Sequence, residues 1–303
     1  MGLGYDKTLY ILAFDHRGTF QKMYGISGRA PTPEETERLF DGKMMILEGL
    51  ERAIAGGLRE DEVGVLVDEQ FGADVARKAR AGGLTLAMTV EKSGQDEFDF
   101  EYGEAFGEHI EEFDPTFSKV LVRSNPAWDP ELNARQFGRL RRLSEWLHEG
   151  GRKFLFELLV PATSEQLAAL DGEDSRYDVE VRPGLMMELI EIIQDAGIEP
   201  DIWKIEGIDS RAECQKIASL VRRDGRDSVS CVVLGRGATD AKVEEWLRAA
   251  AGLPGYVGFA IGRTIFEDSV KGVATGSMDR ETATALVASN YRRFIDVYEA
   301  AEG

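Results

Sequence analysis

A (β/α)8 barrel is the fold class this sequence predicts, and three observations predict it. Eight short runs rich in Val, Ile, Leu and Phe recur along the 303 residues, at 9–14, 63–67, 84–90, 119–122, 153–160, 202–205, 229–234 and 256–261. Each is continuously apolar, the pattern of a strand buried on both faces of a parallel sheet. Helix-like stretches separate most of them, and eight such units over about 250 residues have the size and rhythm of one α/β barrel. The rival fold, a doubly wound open sheet, usually begins its first helix on a glycine-rich turn. Here the first run ends in Asp15-His16-Arg17-Gly18, and no G-x-G-x-x-G opens a helix. No internal repeat, low-complexity tract or linker breaks the chain, so residues 1–303 read as a single barrel domain.

The helices follow in order. Residues 36–54 place Leu39, Met44, Leu47 and Leu50 near helical spacing, behind the N-terminal signal Thr32-Pro33-Glu34-Glu35. A short helix is expected at 74–81. The connection from 84 to 119 is less regular; its stretch 91–116 is acidic and aromatic, with one helix at 103–112 and the role of a lid or an oligomer contact. Residues 130–147 carry Leu132, Phe137, Leu140, Leu143 and Trp146 on one stripe. Residues 183–196 open with Pro183 and stop before Gly197. Helices at 211–223, 240–251 and 280–300 complete the set.

Composition narrows the function classes. Hydrophobic residues make up 43% and charged residues 30% of the chain, which is globular usage and excludes wholesale disorder. No apolar run reaches 18 residues, so no membrane span is expected. The start, Met1-Gly2-Leu3-Gly4-Tyr5-Asp6-Lys7, shows no secretory signal. Two distant cysteines, Cys214 and Cys231, give no disulfide framework, and a reducing cytoplasm is the expected location. A net charge of −19 disfavours nucleic acid and anionic lipid as partners. An anionic substrate therefore requires a local basic site.

Ionisable residues inside the apolar runs are the candidates for chemistry, since a charge there is costly unless paired or used. Run six, Asp201-Ile202-Trp203-Lys204-Ile205-Glu206, puts Ile202, Lys204 and Glu206 on one face. If that face is the barrel interior, Lys204 is a buried amine able to attack a carbonyl and form a Schiff base. The alternative is a lysine paired with Glu206 or another carboxylate. Run five isolates Glu157 among apolar neighbours. Burial should raise its pKa toward neutrality and suit it to general acid–base work; otherwise a core cation neutralises it. Run four aligns Lys119 with Arg123 by parity. Lys119 reads either as a second cation beside Lys204 that pairs with Glu157, or as a strand-start lysine reaching solvent. Arg123, at the strand end, could meet an anionic substrate group.

Asp15 could accept a substrate hydroxyl or cap a turn, and Asp68-Glu69 could orient the lysines or cap the next helix. Runs seven and eight end in Gly235-Arg236-Gly237 and in Gly262-Arg263. Glycines there let backbone N–H groups approach an oxyanion, and arginine adds a fork of donors; loops after strands seven and eight commonly hold phosphate in such barrels. The three histidines, His16, His109 and His148, show no metal-ligand spacing, so no metal and no cofactor is expected. G-x-S-x-G and P-loop motifs are both absent.

At these residues the chain resembles the class I, Schiff-base aldolases, of the tagatose 1,6-bisphosphate aldolase type and of the aldolase-like domain of myo-inositol catabolism (the domain of unknown function 2090 family). The resemblance runs along most of the chain: Phe14-Asp15-His16-Arg17-Gly18, Asp68-Glu69-Gln70-Phe71-Gly72, Glu91-Lys92-Ser93-Gly94, Lys119-Val120-Leu121, Phe156-Glu157, Trp203-Lys204-Ile205-Glu206 and Gly258-Phe259-Ala260-Ile261-Gly262-Arg263. It implies that Lys204 forms the imine, Glu157 transfers protons, Lys119 lies beside them and Arg263 binds phosphate. It implies a metal-independent carbon–carbon lyase acting on a small phosphorylated sugar, and a possible homo-oligomer.

Two departures, Gly235-Arg236-Gly237 after strand seven and Asn125-Pro126 after strand four, bear on the substrate mouth. They shift the expected substrate from tagatose bisphosphate to 2-deoxy-5-keto-gluconate 6-phosphate, cleaved to dihydroxyacetone phosphate and malonate semialdehyde. A Schiff-base aldolase or transaldolase for another ketose phosphate or a sulfosugar phosphate, a metal enzyme using Asp15, Asp68 and Glu69, and a non-catalytic sugar-phosphate-binding barrel are the alternatives.

Overall fold

The computed structural model describes residues 2–302. Eight parallel strands close into a barrel in chain order: β1 (Leu9–Ala13), β2 (Val63–Val67), β3 (Thr85–Thr89), β4 (Phe117–Arg123), β5 (Lys153–Leu159), β6 (Ile202–Glu206), β7 (Ser230–Leu234) and β8 (Tyr256–Ile261). The fold class expected from the sequence is the one observed. The runs are apolar apart from a few ionisable residues because both faces are covered. One face packs Tyr10, Leu12, Val65, Phe156, Trp203 and Phe259 against the helices. The other fills the barrel with Leu9, Ile11, Phe117, Leu155, Ile202 and Val232.

The helices are α1 (Gly18–Met23), α2 (Pro33–Ala55), α3 (Glu69–Ala81), α4 (Phe106–Phe113), α5 (Pro130–Glu149), α6 (Ser164–Ala168), the single turn α7 (Asp174–Arg176), α8 (Arg182–Asp195), α9 (Arg211–Val221), α10 (Asp240–Ala250), α11 (Arg263–Thr275) and α12 (Arg280–Glu302). A π-turn over Tyr177–Val181 leads into α8. Helix α2 starts in a capping box in which Thr32 and Glu35 satisfy each other's backbone donors, with Pro33 at its first position. Among the described residues no helix is long and apolar enough to cross a membrane.

The structure departs from the sequence expectations at element ends. Strand β4 begins at Phe117, two residues early, so Lys119 lies within it. Helix α3 begins at Glu69 because Asp68 caps it, accepting from the Phe71 N–H at 2.8 Å. Helix α11 starts directly after Gly262, where the sequence pattern had suggested no helix before 280. The acidic segment after β3 has a structural account. Glu91 bridges to Phe100, Glu97 pairs with Arg135 and Arg139 of α5, Glu101 with Arg17, and Glu104 with Arg142. Its acidic side chains thus hold it against its own barrel.

Candidate active site

The strand register converts period-two spacing into a layered site. Lys119 and Arg123 share the inward face of β4, Glu157 that of β5, and Lys204 and Glu206 that of β6, with Glu157 opposite Lys204 in the ladder. These groups stand above the apolar filling, toward the C-terminal ends of the strands, where barrel enzymes carry their chemistry.

Lys204 Nζ lies 2.9 Å from Glu157 Oε1. The second oxygen of Glu157 lies 2.8 Å from Lys119 Nζ. Lys119 is fully buried and also donates to Asp15 and Glu91, each at 2.8 Å. Arg17 closes the far side, its guanidinium donating to the Glu91 carbonyl and to Glu101. One buried chain of alternating charge therefore runs from Lys204 through Glu157 and Lys119 to Asp15 and Glu91. It overturns the reading of Lys119 as a strand-start lysine reaching solvent.

Charge states follow from that chain. Burial pushes the Lys119 ammonium toward losing its proton, but Asp15, Glu157 and Glu91 outweigh it and raise its pKa. Burial likewise pushes Glu157 up, yet Lys119 and Lys204 hold it below the ordinary carboxylate range. The expectation of a Glu157 raised toward neutrality is corrected: burial alone would do that, and two adjacent ammonium groups reverse it. Burial opposes ionisation of Asp15 too, but Lys119, then Lys204, keep it well below its ordinary range. Glu91 goes the other way, raised because burial exceeds its attraction to Lys119 and Arg17. Nor does Lys119 face Lys204 as a bare second cation, since Glu157 stands between them.

Lys204, Glu157, Arg123 and His16 lie between two lobes of one cleft. The larger cavity, about 260 Å³, adds Gly235, Arg236, Gly237, Gly262 and Arg263 at the ends of β7 and β8. The smaller, about 130 Å³, adds Asp15, Glu91 and the turn 92–95. A side chain at Gly262 would meet backbone, and one at Gly237 would be strained and would displace Arg263. Gly237 has φ +72°, and a Cβ would run into the Arg263 guanidinium; at Gly262 it would strike the Ala13 carbonyl.

The two arginines of this lobe differ. Arg236 is committed to carboxylates, with Nε 3.1 Å from Glu206 Oε1 and Nη1 2.6 Å from Asp178 Oδ1. Arg263, at the start of α11, donates to the Arg236 carbonyl and has no carboxylate partner among the described residues. Its own backbone opens α11, and a helix N-terminus is a place suited to an anion. Arg123 Nη1 donates to the Gln95 carbonyl at 2.9 Å and lines both lobes.

Several groups were not singled out by sequence reasoning. Glu91 directly follows the run of β3, as Asp15 follows that of β1, so the same strand-end rule would have found it. His16 borders both lobes, and burial lowers its pKa to about 4. It is therefore neutral near pH 7. Asp68 and Glu69 are not gathered with Asp15: Asp68 pairs with Lys43, and Glu69 lies 2.9 Å from His109. That arrangement does not supply the metal site Asp15, Asp68 and Glu69 had suggested.

A pH effect follows from His16. Its folded pKa is depressed, so between about pH 6.5 and 4 the unfolded chain takes up a proton that the folded site refuses, and stability falls as pH falls. His16→Gln is expected to lose less melting temperature between pH 7 and pH 5 than the parent. Equal losses in both proteins would assign the acid sensitivity to other groups.

Comparison with known proteins extends this geometry. The family described as "Uncharacterized protein conserved in bacteria (DUF2090)" matches residues 4–302. No curated protein sequence matches the chain. Among solved structures, Cgl0159 from Corynebacterium glutamicum (Brevibacterium flavum) is 19% identical with a TM-score of 0.57, covering 95% of this chain and 88% of that one. The fructose-bisphosphate aldolase of Plasmodium falciparum, solved with TRAP and a small-molecule inhibitor, is 12% identical with a TM-score of 0.60, covering 97% and 91%. A Schiff base-forming fructose-1,6-bisphosphate aldolase, studied through its reaction intermediates, is 12% identical with a TM-score of 0.57, covering 96% and 94%. At these identities the likeness establishes the shared fold.

Proposed function

The chain belongs to the DUF2090 family, and on that premise we propose that it is a class I aldolase that cleaves a phosphorylated keto-sugar or keto-sugar acid through an imine on Lys204. The observation that carries this reading is the buried relay in which Glu157 touches Lys204 at 2.9 Å and Lys119 at 2.8 Å, in a cleft also lined by Arg263, which has no carboxylate partner among the described residues. A lysine on the inward face of a barrel strand, a carboxylate within proton-transfer reach and an anion-ready turn across the cleft are the parts an imine mechanism needs. The structural neighbours named as aldolases are consistent with it.

The steps follow from the contacts. Ionised Glu157 takes a proton from the Lys204 ammonium, and the free amine adds to the substrate ketone. Glu157 returns the proton to the carbinolamine hydroxyl, which leaves as water, giving a protonated imine. A base removes the proton of the hydroxyl on the carbon beyond the scissile bond. Asp15 and Glu157 are the carboxylates placed for this. The C–C bond then breaks, the aldehyde departs, and the bonding pair enters the iminium to form an enamine. Protonation of the enamine carbon and hydrolysis of the imine release the ketone and restore Lys204. Lys119 stays protonated and stabilises the carboxylates at each stage.

The substrate we favour is 2-deoxy-5-keto-gluconate 6-phosphate, yielding dihydroxyacetone phosphate and malonate semialdehyde. Its phosphate would lie against Arg263, the Gly262 turn and the Gly235-Arg236-Gly237 turn, its keto carbon at Lys204, and its carboxylate end toward the smaller lobe. Product analysis over a panel of ketose phosphates, including sulfosugar phosphates, tests this. Cleavage of other members alone overturns the substrate, and cleavage of none overturns the activity. Arg263→Ala is expected to raise KM for the phosphorylated ketone about 10–100-fold, the worth of a charge-assisted hydrogen bond to phosphate, while borohydride trapping at saturating ligand is retained. An unchanged KM would remove Arg263 from the phosphate site.

A further inference from the structure

Lys43 of α2 is fully buried and takes no part in the steps above. Its position was legible as an anomaly, because at helical spacing Lys43 shares the apolar stripe of Leu39, Leu47 and Leu50. Its Nζ donates to the Phe14 carbonyl at 2.6 Å and to the His16 carbonyl at 3.1 Å, and forms an ion pair with Asp68. Asp68 is itself anchored by the Phe71 N–H at the start of α3, and the ring of Phe20 lies 5.0 Å from Nζ.

Those two carbonyls bracket the Asp15-His16 pair, at the place where sheet bonding ends. The last rung of β1 toward β2 is the Phe14 N–H to the Leu66 carbonyl, at 2.8 Å. Beyond it the ladder supplies nothing to hold Asp15, although Asp15 must reach Lys119 across the barrel. A buried ion pair is commonly no more stabilising than an apolar pair of similar shape, so stability alone does not account for a lysine here.

We propose that Lys43 is a positioning residue that takes over from the missing ladder at the end of β1, fixing the peptide planes around Asp15-His16 so that the Asp15 carboxylate meets Lys119. The proposal rests on the aldolase reading for its effect on turnover, but not for its effect on Asp15 itself.

The test is the paired variant Lys43→Met/Asp68→Asn in the full chain. It removes both buried charges together and keeps a side-chain acceptor for the cap of α3. The expected result is a folded protein that forms the borohydride-trapped adduct with dihydroxyacetone phosphate about as fully as the parent, with KM nearly unchanged and kcat for cleavage down about 10–100-fold, as for a reacting group displaced by about 1 Å. Carbon-13 NMR of the Asp15 carboxyl supplies the second readout; loss of the Lys43 charge acts on Asp15 alike in a methionine and a glutamine variant, so the difference between those two variants reports the placement of Asp15. The parent carboxyl resists protonation because of Lys119, and in the variant its titration should move up toward the ordinary aspartate range. Lys43→Gln/Asp68→Asn, whose amide can still donate to a carbonyl, should fall between the two in both measurements and serves as the second variant if methionine is not tolerated.

An unmoved Asp15 titration with kcat within about threefold of the parent would overturn the proposal, since a misplaced reacting group costs far more. So would trapping and cleavage that fall together with the folded fraction. If the parent itself traps no adduct, the aldolase reading fails, and the Asp15 titration then decides the role of Lys43 alone.

Discussion

Lys204→Met is expected to abolish the borohydride-stabilised adduct with dihydroxyacetone phosphate, read by intact mass, and to lower kcat/KM by about 10⁴-fold or more, the scale seen when a covalent nucleophile is removed. The reason is chemical. Without an amine at this place no imine forms, and the carbanion left by C–C cleavage has no electron sink; Lys92, the other lysine lining the cleft, is exposed on the turn after β3 and away from Glu157. Methionine retains most of the aliphatic volume, so the barrel should stay folded and the loss should appear in the chemistry. The adduct in the parent should map to Lys204 and not to Lys119, although both lysines touch Glu157. Lys119 is enclosed by three carboxylates and kept protonated by them, and a protonated amine has no lone pair for attack. An adduct that persists in Lys204→Met, or one mapping to Lys119, would sink the imine assignment.

Lys119→Met is the variant with the largest expected effect on stability. In the folded protein one ammonium group pairs with Asp15, Glu157 and Glu91 at once, all nearly sealed from solvent. Removing it leaves buried carboxylates with only Lys204 and Arg17 nearby. Breaking a buried pair in this way costs about 3–5 kcal/mol, which corresponds to a fall in melting temperature of roughly 5–8 °C for a chain of this size.

The pH dependence has a definite sign. In the parent, Asp15 and Glu157 titrate below their unfolded values, so their contribution is present above the ordinary carboxylate range and fades as pH drops through it. In the variant burial acts with less opposition, their folded pKa values rise, and acid relieves the strain by protonating them. The gap between parent and variant should therefore narrow from pH 7 to pH 5. Glu91→Gln added to Lys119→Met should recover part of the loss by removing one uncompensated charge. A variant as stable as the parent at pH 7, or a gap that widens in acid, would contradict the charge balance drawn here.

The net charge of −19 takes on a local meaning in this light. The exterior is acidic, while the cleft gathers Lys204, Arg123 and Arg263 around a small volume. At physiological salt the screening length is about 8 Å, so remote surface carboxylates act weakly on an anion already inside the cleft. Much of the acidic excess near the mouth is also spent. Glu97, Glu101 and Glu104 are each paired with an arginine, which turns a repulsive stretch into a strap across the ends of β3 and β4.

What the sequence determined by itself was the architecture and most of the groups at its centre, Glu91 and His16 excepted. Continuous apolar runs require strands covered on both faces, and alternation along a strand places Lys119 with Arg123 and Lys204 with Glu206 before any coordinate is known. It did not reveal α11, because the polar start of that helix hides its apolar face. Nor did it reveal that Arg236 is committed to Glu206 and Asp178, since Asp178 belongs to the π-turn between β5 and β6.

Above all, only the tertiary structure decided charge. From a single run, Glu157 shows its burial and nothing else, and burial alone raises a carboxylate pKa. The lysines that reverse that sign come from β4 and β6, and Asp15 meets a lysine 104 residues further along the chain. Burial is a property of local composition and can be read from a run of residues. The direction of a pKa shift is set by distances of about 3 Å between strands, and those exist only once the barrel has closed.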